Sequence, residues 1–206
     1  MRTRGGLWRN RDYVGWLAGE SLSMLGTSVS TFGYPVLILF ATRSAAQTGI
    51  VAAASNVGSL TTLLLGGAIA DRYSRRAVLI IGAVVQAAVV ASVAAAVLAG
   101  HVVLVHIAAA GLVDGAVVGI TRGATRAALR RVVPSEQFST AMSQMWARDM
   151  GVRIAGPPLG GVLFAASRSL PFLADAISYA AAVVGVSVIR RPLGPDHEEA
   201  AEREPL

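Results

Sequence analysis

Apolar residues fill most of the chain in long runs separated by short polar links. A membrane-crossing helix needs about 20 mostly apolar residues, because the hydrocarbon core is about 30 Å thick. The pattern therefore predicts an all-α membrane protein with six transmembrane helices. The predicted spans cover residues 14–40, 47–70, 77–99, 102–121, 150–166 and 170–189.

The two ends of the chain and the start of the fifth helix are more polar or charged than these apolar runs. Residues 1–13 form a basic arm, and residues 190–206 are acidic and rich in proline, which predicts a disordered tail. The segment from Ser135 to Met150 is polar, so we expect helix five to begin at the membrane interface near Ser135. The transmembrane bundle is thus predicted over residues 14–189.

The chain's composition agrees with a membrane location and excludes several other functions. Hydrophobic residues make up 54% of its 206 positions and charged residues 15%. The net charge of +6 would suit a nucleic-acid partner, but the arginines lie at the ends of apolar runs, as membrane proteins distribute them. With no cysteine, disulfides and thiolate chemistry are impossible, and we predict neither a cofactor nor a metal site.

Arginines predict the orientation, because cytosolic links of membrane proteins are enriched in positive charge. One set of alternate links holds nearly all of them, and the other set holds only Arg43 and Arg168. We therefore expect both termini on the cytosolic side of the cell membrane. The arginines on that side are Arg2, Arg4, Arg9, Arg11, Arg72, Arg75, Arg76, Arg122, Arg126, Arg130, Arg131, Arg190, Arg191 and Arg203.

The link between the second and third runs holds the most specific motif, GAIADRYSRR at 67–76. An ordinary positively charged loop would explain the arginines of this link. It would not explain an acidic residue among them, which needs a partner. The motif resembles the signature of the major facilitator superfamily, although Ser74 stands where that family prefers glycine. The resemblance implies a conformational latch, with the arginines near lipid phosphates. Its residues are Gly67, Asp71, Arg72, Arg75 and Arg76.

Three other segments extend the resemblance over residues 7–192. The run GPPLGG in helix five is similar to the core of the exporters' antiporter motif, and a simple packing kink is its alternative. The runs LWRNRDY at 7–13 and LADAISY at 173–179 resemble bacterial drug and siderophore exporters of the macrolide-efflux and enterobactin-exporter type. The residues of the helix-five motif are Gly156, Pro157, Gly160 and Gly161.

The resemblance implies the N-terminal half of a major facilitator fold, a six-helix unit of two three-helix repeats. It implies proton-coupled efflux of a small molecule, with a second six-helix half as partner, supplied by a missing C-terminal half or by a homodimer. A fragment, a half-transporter and a truncated relic all remain open. So do a non-transporting interaction module and, less favoured because the acids are dispersed, a lipid-modifying membrane enzyme.

Ionisable side chains inside the spans are costly, at about 2.5–3.5 kcal/mol each, and so are candidates for function. Glu20, Asp114 and Asp175 could hold a proton or a substrate. Their structural alternatives are snorkelling for Glu20, a hydrogen bond for Asp114, and a cap or a pair with Arg168 for Asp175. Asp149 and Arg153 are expected to neutralise each other at i,i+4 spacing.

Glycines recur every fourth residue in helix four, which places them on one face. We expect this face to contact another helix closely. The glycines are Gly111, Gly115, Gly119 and Gly123.

Overall fold

The computed structural model describes residues 7–189, apart from the side-chain surroundings of Leu64, Gly67, Ala68, Ala70 and Asp71. Residues 1–6 of the arm predicted at 1–13, and the tail predicted at 190–206, lie outside the described residues. Two short 3₁₀ turns occur at Leu7–Arg9 and Ser135–Gln137. The long helices are α1 Arg11–Thr42, α2 Ala45–Arg72, α3 Arg75–Leu98, α4 Leu104–Val132, α5 Phe138–Ala166 and α6 Leu170–Val188.

Five of the helices agree with the apolar runs to within a few residues, allowing for the predicted early start of α5. The fourth does not: the predicted basic link after residue 121 is helical as far as Val132. Arginine, alanine and leucine are good helix formers, and Ala128 and Leu129 bury an apolar stripe in this extension. Asn10 closes the helix, since its side-chain amide donates to the Val132 carbonyl at 2.9 Å.

The first two helices are joined by only two residues, each with a clear structural task. Arg43 ends α1 in the left-handed conformation (φ 54°), and its backbone N–H donates to the Leu39 carbonyl. Ser44 begins α2, because its hydroxyl accepts from the Gln47 backbone N–H at 3.3 Å. The chain therefore reverses direction within one short link.

Helix contacts repeat in a symmetric pattern. Helix α1 packs against α5 and α6, α4 packs against α2 and α3, and α3 also packs against α6. Exchanging the first three helices with the last three returns the same pattern for these pairs; α1 also packs against α2, and among the described residues no comparable contact joins α4 and α5. This is the arrangement that two three-helix repeats produce, with α1 and α4 in equivalent positions.

Glycines set the closest of these contacts. A side chain at Gly115 would strike the backbone carbonyl of Ser55 on α2, and one at Gly119 would lie 2.5 Å from the Ser59 carbonyl oxygen. Gly19 of α1 likewise leaves no room for a side chain against the backbone of α6. The close contact predicted for the glycine face of helix four is confirmed with α2 for Gly115 and Gly119, whereas a side chain at Gly111 would have ordinary van der Waals contact with α2; the part of Gly123 stays a prediction.

Among the described residues, four helices are long enough and apolar enough to cross a membrane: α1, α3, α4 and α6. Helix α5 is long enough at 29 residues, but it contains Arg148, Asp149, Arg153 and two prolines. Most of the outward surface of the bundle is apolar, as expected of a protein surrounded by lipid. Examples are Leu60, Ile81, Val105, Ile154, Val162 and Ile177.

The α2–α4 contact predicts that replacing a glycine by alanine has a very different effect on stability at two positions of the bundle. Gly115→Ala should lower the free energy of unfolding by about 1–3 kcal/mol, because the new methyl group forces the two backbones apart. Gly151→Ala is the matched control, since a side chain there meets nothing within 4 Å. Thermal unfolding of the full chain in detergent measures both. Equal stability of the two variants would contradict the close contact.

Candidate functional site

A buried carboxyl group on α6 lies at the centre of a hydrogen-bonded group. Asp175 is 1% exposed. The Ser30 hydroxyl donates to its Oδ2, and the Thr27 hydroxyl lies 3.2 Å from its Oδ1. Thr27 also lies 3.0 Å from the Tyr179 hydroxyl. Asp175 therefore joins α6 to the middle of α1, and the alternative of a pair with Arg168 is wrong: Arg168 lies over the Phe40 ring.

A second buried carboxyl group belongs to α4. Asp114 is 8% exposed, and its Oδ1 accepts from the Gln86 side-chain amide of α3 at 2.8 Å. Both aspartates lie close enough to Tyr34 and Tyr179 for electrostatic interaction. We refer to Thr27, Ser30, Tyr34, Gln86, Asp114, Asp175 and Tyr179 together as the acid cluster.

Partners of the acid cluster are neutral. In the described part of the chain, neither Asp114 nor Asp175 lies within ion-pair distance of an arginine, and their hydrogen bonds come from hydroxyl and amide groups. The Tyr34 hydroxyl is buried and has no hydrogen-bond partner among those residues. An ionised carboxylate buried without a cation costs several kcal/mol.

A cavity of about 330 Å³ lies beside the acid cluster. Thr27, Gln86 and Tyr179 belong to both, so the cluster forms part of the cavity wall. Much of the remaining wall is polar or charged, and some is apolar. The charged residues are Glu20, Arg122, Arg126, Arg148, Asp149 and Arg153, and the large apolar ones are Met24, Val118, Met142, Met145 and Trp146.

Two of the charged residues form an ion pair that spacing alone does not identify. Arg148 places its Nε and Nη2 2.9 and 2.7 Å from Asp149 Oδ1. The expected pair between Asp149 and Arg153 is therefore wrong. Glu20 lies in the cavity wall nine residues into α1, about 14 Å from its start.

The arginines of the loop motif differ from one another. Arg72 is exposed, whereas Arg75 is 2% exposed and so does not face lipid as expected. Arg76 donates to the carbonyls of Ser187 and Ile189 at the end of α6, where a cation also offsets the helix dipole. Gly67 and Asp71 lie outside the residues whose surroundings are described, so their part in a latch stays a prediction.

The helix-five motif is a contact with α1. Gly156 approaches Ser28, and a side chain at Gly160 would lie 3.0 Å from the Val29 carbonyl oxygen. Pro157 and the following Pro158 face outward, and α5 continues through them. Gly161 is partly buried, and a side chain there would lie 3.9 Å from the Phe32 ring. Gly156 and Gly160 thus pack against α1 and the prolines are exposed; an antiporter role stays a prediction.

Most neutral members of the acid cluster are absent from the set of residues that sequence reasoning selects. Thr27, Ser30 and Tyr34 follow i, i+3 and i+7 spacing on α1, and Asp175 and Tyr179 follow i, i+4 on α6. Polar residues repeated at helical spacing inside an apolar run are the signal that could have found them.

Comparison with known protein families identifies the class to which this fold and site belong. The Major Facilitator Superfamily matches residues 17–206. The chain belongs to this family, whose members are membrane transporters. It is thus a multi-pass membrane transporter, or a part of one, and the family prediction is confirmed. No curated protein gives a significant match.

Proposed function

We propose that the chain takes part in proton-coupled efflux of a small molecule, such as a drug or siderophore, with the acid cluster as the proton site. One observation carries the proposal: among the described residues, two buried carboxyl groups have no cationic partner, and one hydrogen-bond donor to each of them, Thr27 and Gln86, lines a cavity. Intramembrane acids without partners are typical of proton pathways. A structural network alone would not require two carboxyl groups beside a cavity.

Protonation would change the hydrogen bonds at the cavity wall. A neutral Asp175 becomes a donor as well as an acceptor, so Thr27 is free to turn toward Tyr179. A neutral Asp114 similarly alters what Gln86 presents to the cavity. Proton binding at the acid cluster and substrate binding in the cavity thus act on the same three side chains, Thr27, Gln86 and Tyr179.

We propose further that six helices cross the cell membrane, with both termini in the cytosol. Helices α2 and α5 have 28 and 29 residues, enough to span, and the charged segment of α5 borders the cavity. The α2–α3 and α4–α5 links and the helix ends beside them hold seven arginines, whereas the α1–α2 and α5–α6 links hold one each, Arg43 and Arg168.

A second six-helix body is the remaining part of the proposal. Helix α2 exposes Ile50, Val57 and Leu60, and α5 exposes Trp146 and Ile154. Alternating access requires two bodies that rock about a shared site. These faces would border the second body, whether it belongs to the same polypeptide, another polypeptide or a second copy.

Proton coupling should depend on both carboxyl groups. We expect Asp114→Asn and Asp175→Asn to abolish substrate-induced proton movement, because an amide cannot release a proton, while thermal stability is kept. Inverted vesicles from cells that overproduce the full chain, with a ΔpH-sensitive dye and a panel of drugs and siderophores, measure this. Glu136→Gln, in an exposed turn, is the control. Proton movement that survives in both Asn variants would refute the proton site.

The orientation predicts which links a membrane-impermeant thiol reagent reaches from outside the cell. The natural chain has no cysteine, so single-cysteine variants report without background. Arg43→Cys, His101→Cys and Arg168→Cys should react, and Arg72→Cys should react only after permeabilisation; all four positions are exposed. Labelling of the Arg72 variant in intact cells would reverse the topology.

Transport and assembly should go together. We expect the full chain to show concentrative flux in proteoliposomes only when a second body is present, since one body supplies one side of the cavity. Light scattering after size exclusion in detergent gives the oligomeric state of the same preparation. A dimer with flux, or a monomer without flux, fits this expectation, whereas a monomer with concentrative flux contradicts it.

A further inference from the structure

Positive charge dominates the charged part of the cavity wall. Four arginines line it, from α4 and α5, against two acids, Glu20 and Asp149. Positive residues are common at membrane boundaries. Here four of them line the same cavity, and of these only Arg148 is largely buried; the four are Arg122, Arg126, Arg148 and Arg153.

One of these guanidinium groups has an unused donor. The Arg148 side chain is 13% exposed. Its Nε and Nη2 contact Asp149, whereas its Nη1 is buried and finds no hydrogen-bond partner among the described residues. A buried donor without a partner is destabilising, because it has lost its hydrogen bonds to water. An anionic oxygen supplied by a ligand would satisfy it, because a guanidinium binds carboxylate, sulfonate and phosphate oxygens well.

Apolar side chains form another part of the same wall. Met24, Met142, Met145 and Trp146 come from α1 and α5. Methionine is flexible and polarizable, which suits a surface that accepts varied apolar ligands. Trp146 adds a flat aromatic face on which a ring can stack.

We propose that this cavity binds an amphiphilic organic anion, whose acidic group contacts Arg148 and whose apolar body packs on the methionines and Trp146. The proposal rests on the proposed function, because it names the class of substrate for the same cavity. Thr27, Gln86 and Tyr179 at the wall link the bound anion to the acid cluster. The same chemistry could come from a soluble metabolite or from an anionic lipid.

Binding can be tested without transport, with two probes that share a ring and differ in charge. The full chain in phosphatidylcholine nanodiscs is titrated calorimetrically with 1-naphthalenesulfonate and with 1-naphthylmethylammonium, and empty nanodiscs give the partitioning background. We expect the sulfonate to bind at least tenfold more tightly. Equal affinities, or tighter binding of the ammonium, would overturn the proposal while leaving proton-coupled efflux standing.

Three arginine variants test whether the sulfonate binds at this cavity wall. Arg148→Gln should weaken sulfonate binding about tenfold, the value of one charge-assisted hydrogen bond. Arg153→Gln, at an exposed position where misfolding is not expected, should weaken it by a smaller factor. Arg168→Gln is the control, because that arginine lies over Phe40 at the other end of α5, outside the cavity. Equal affinity in all three variants would refute the site.

Nanodiscs that contain phosphatidylglycerol separate the two sources of the anion. Arg148-dependent sulfonate binding that weakens in them identifies a lipid headgroup as the competing ligand. Binding that does not change identifies a soluble organic anion. Both outcomes support an anion site at Arg148, and a failure of sulfonate to bind in either lipid refutes it.

Discussion

Close approach of helix backbones at glycine is the constraint on which the rest of the structure depends. In lipid, helices gain little from burying apolar surface against one another, so association relies on tight packing and hydrogen bonds. Gly19 and Gly26 bring α6 against α1, and Gly115 does the same for α2 and α4. Only because α1 and α6 touch at Gly26 can Ser30 reach Asp175. The hydrogen bonds of the site therefore depend on the positions of the glycines, which have no side chain to hold the helices apart.

The sequence predicts the number and type of the long helices well, because hydropathy measures what lipid requires. It fails at the end of α4, where residues 122–132 are helical although they are rich in arginine. Hydropathy records the cost of transfer into lipid, and helix propensity is a different property. A basic segment can therefore extend a helix beyond the apolar run without changing the span.

Sequence reasoning selects the buried acids but not the residues that form hydrogen bonds with them. A carboxyl group inside an apolar run is conspicuous because its burial is costly, so Asp114 and Asp175 stand out. Their partners are hydroxyl and amide groups that lipid tolerates, and Ser30 is 145 positions from Asp175 in the chain. Spacing also misassigns the partner of Asp149, since the flexible Arg148 side chain reaches back to its own neighbour. Which residue pairs with which depends on side-chain rotamers and on packing.

The two acids have one further feature in common. Both belong to the second group of three helices, and each takes its strongest hydrogen bonds from the first group: Asp114 from Gln86 of α3, and Asp175 from Thr27 and Ser30 of α1. A small shift between the groups would change the surroundings of both carboxyl groups together. If the acids carry protons as proposed, a proton gained at either one would alter the contact between the groups, because equilibrium coupling is reciprocal. The helix contacts thus place both buried acids at the boundary between the two groups of three helices.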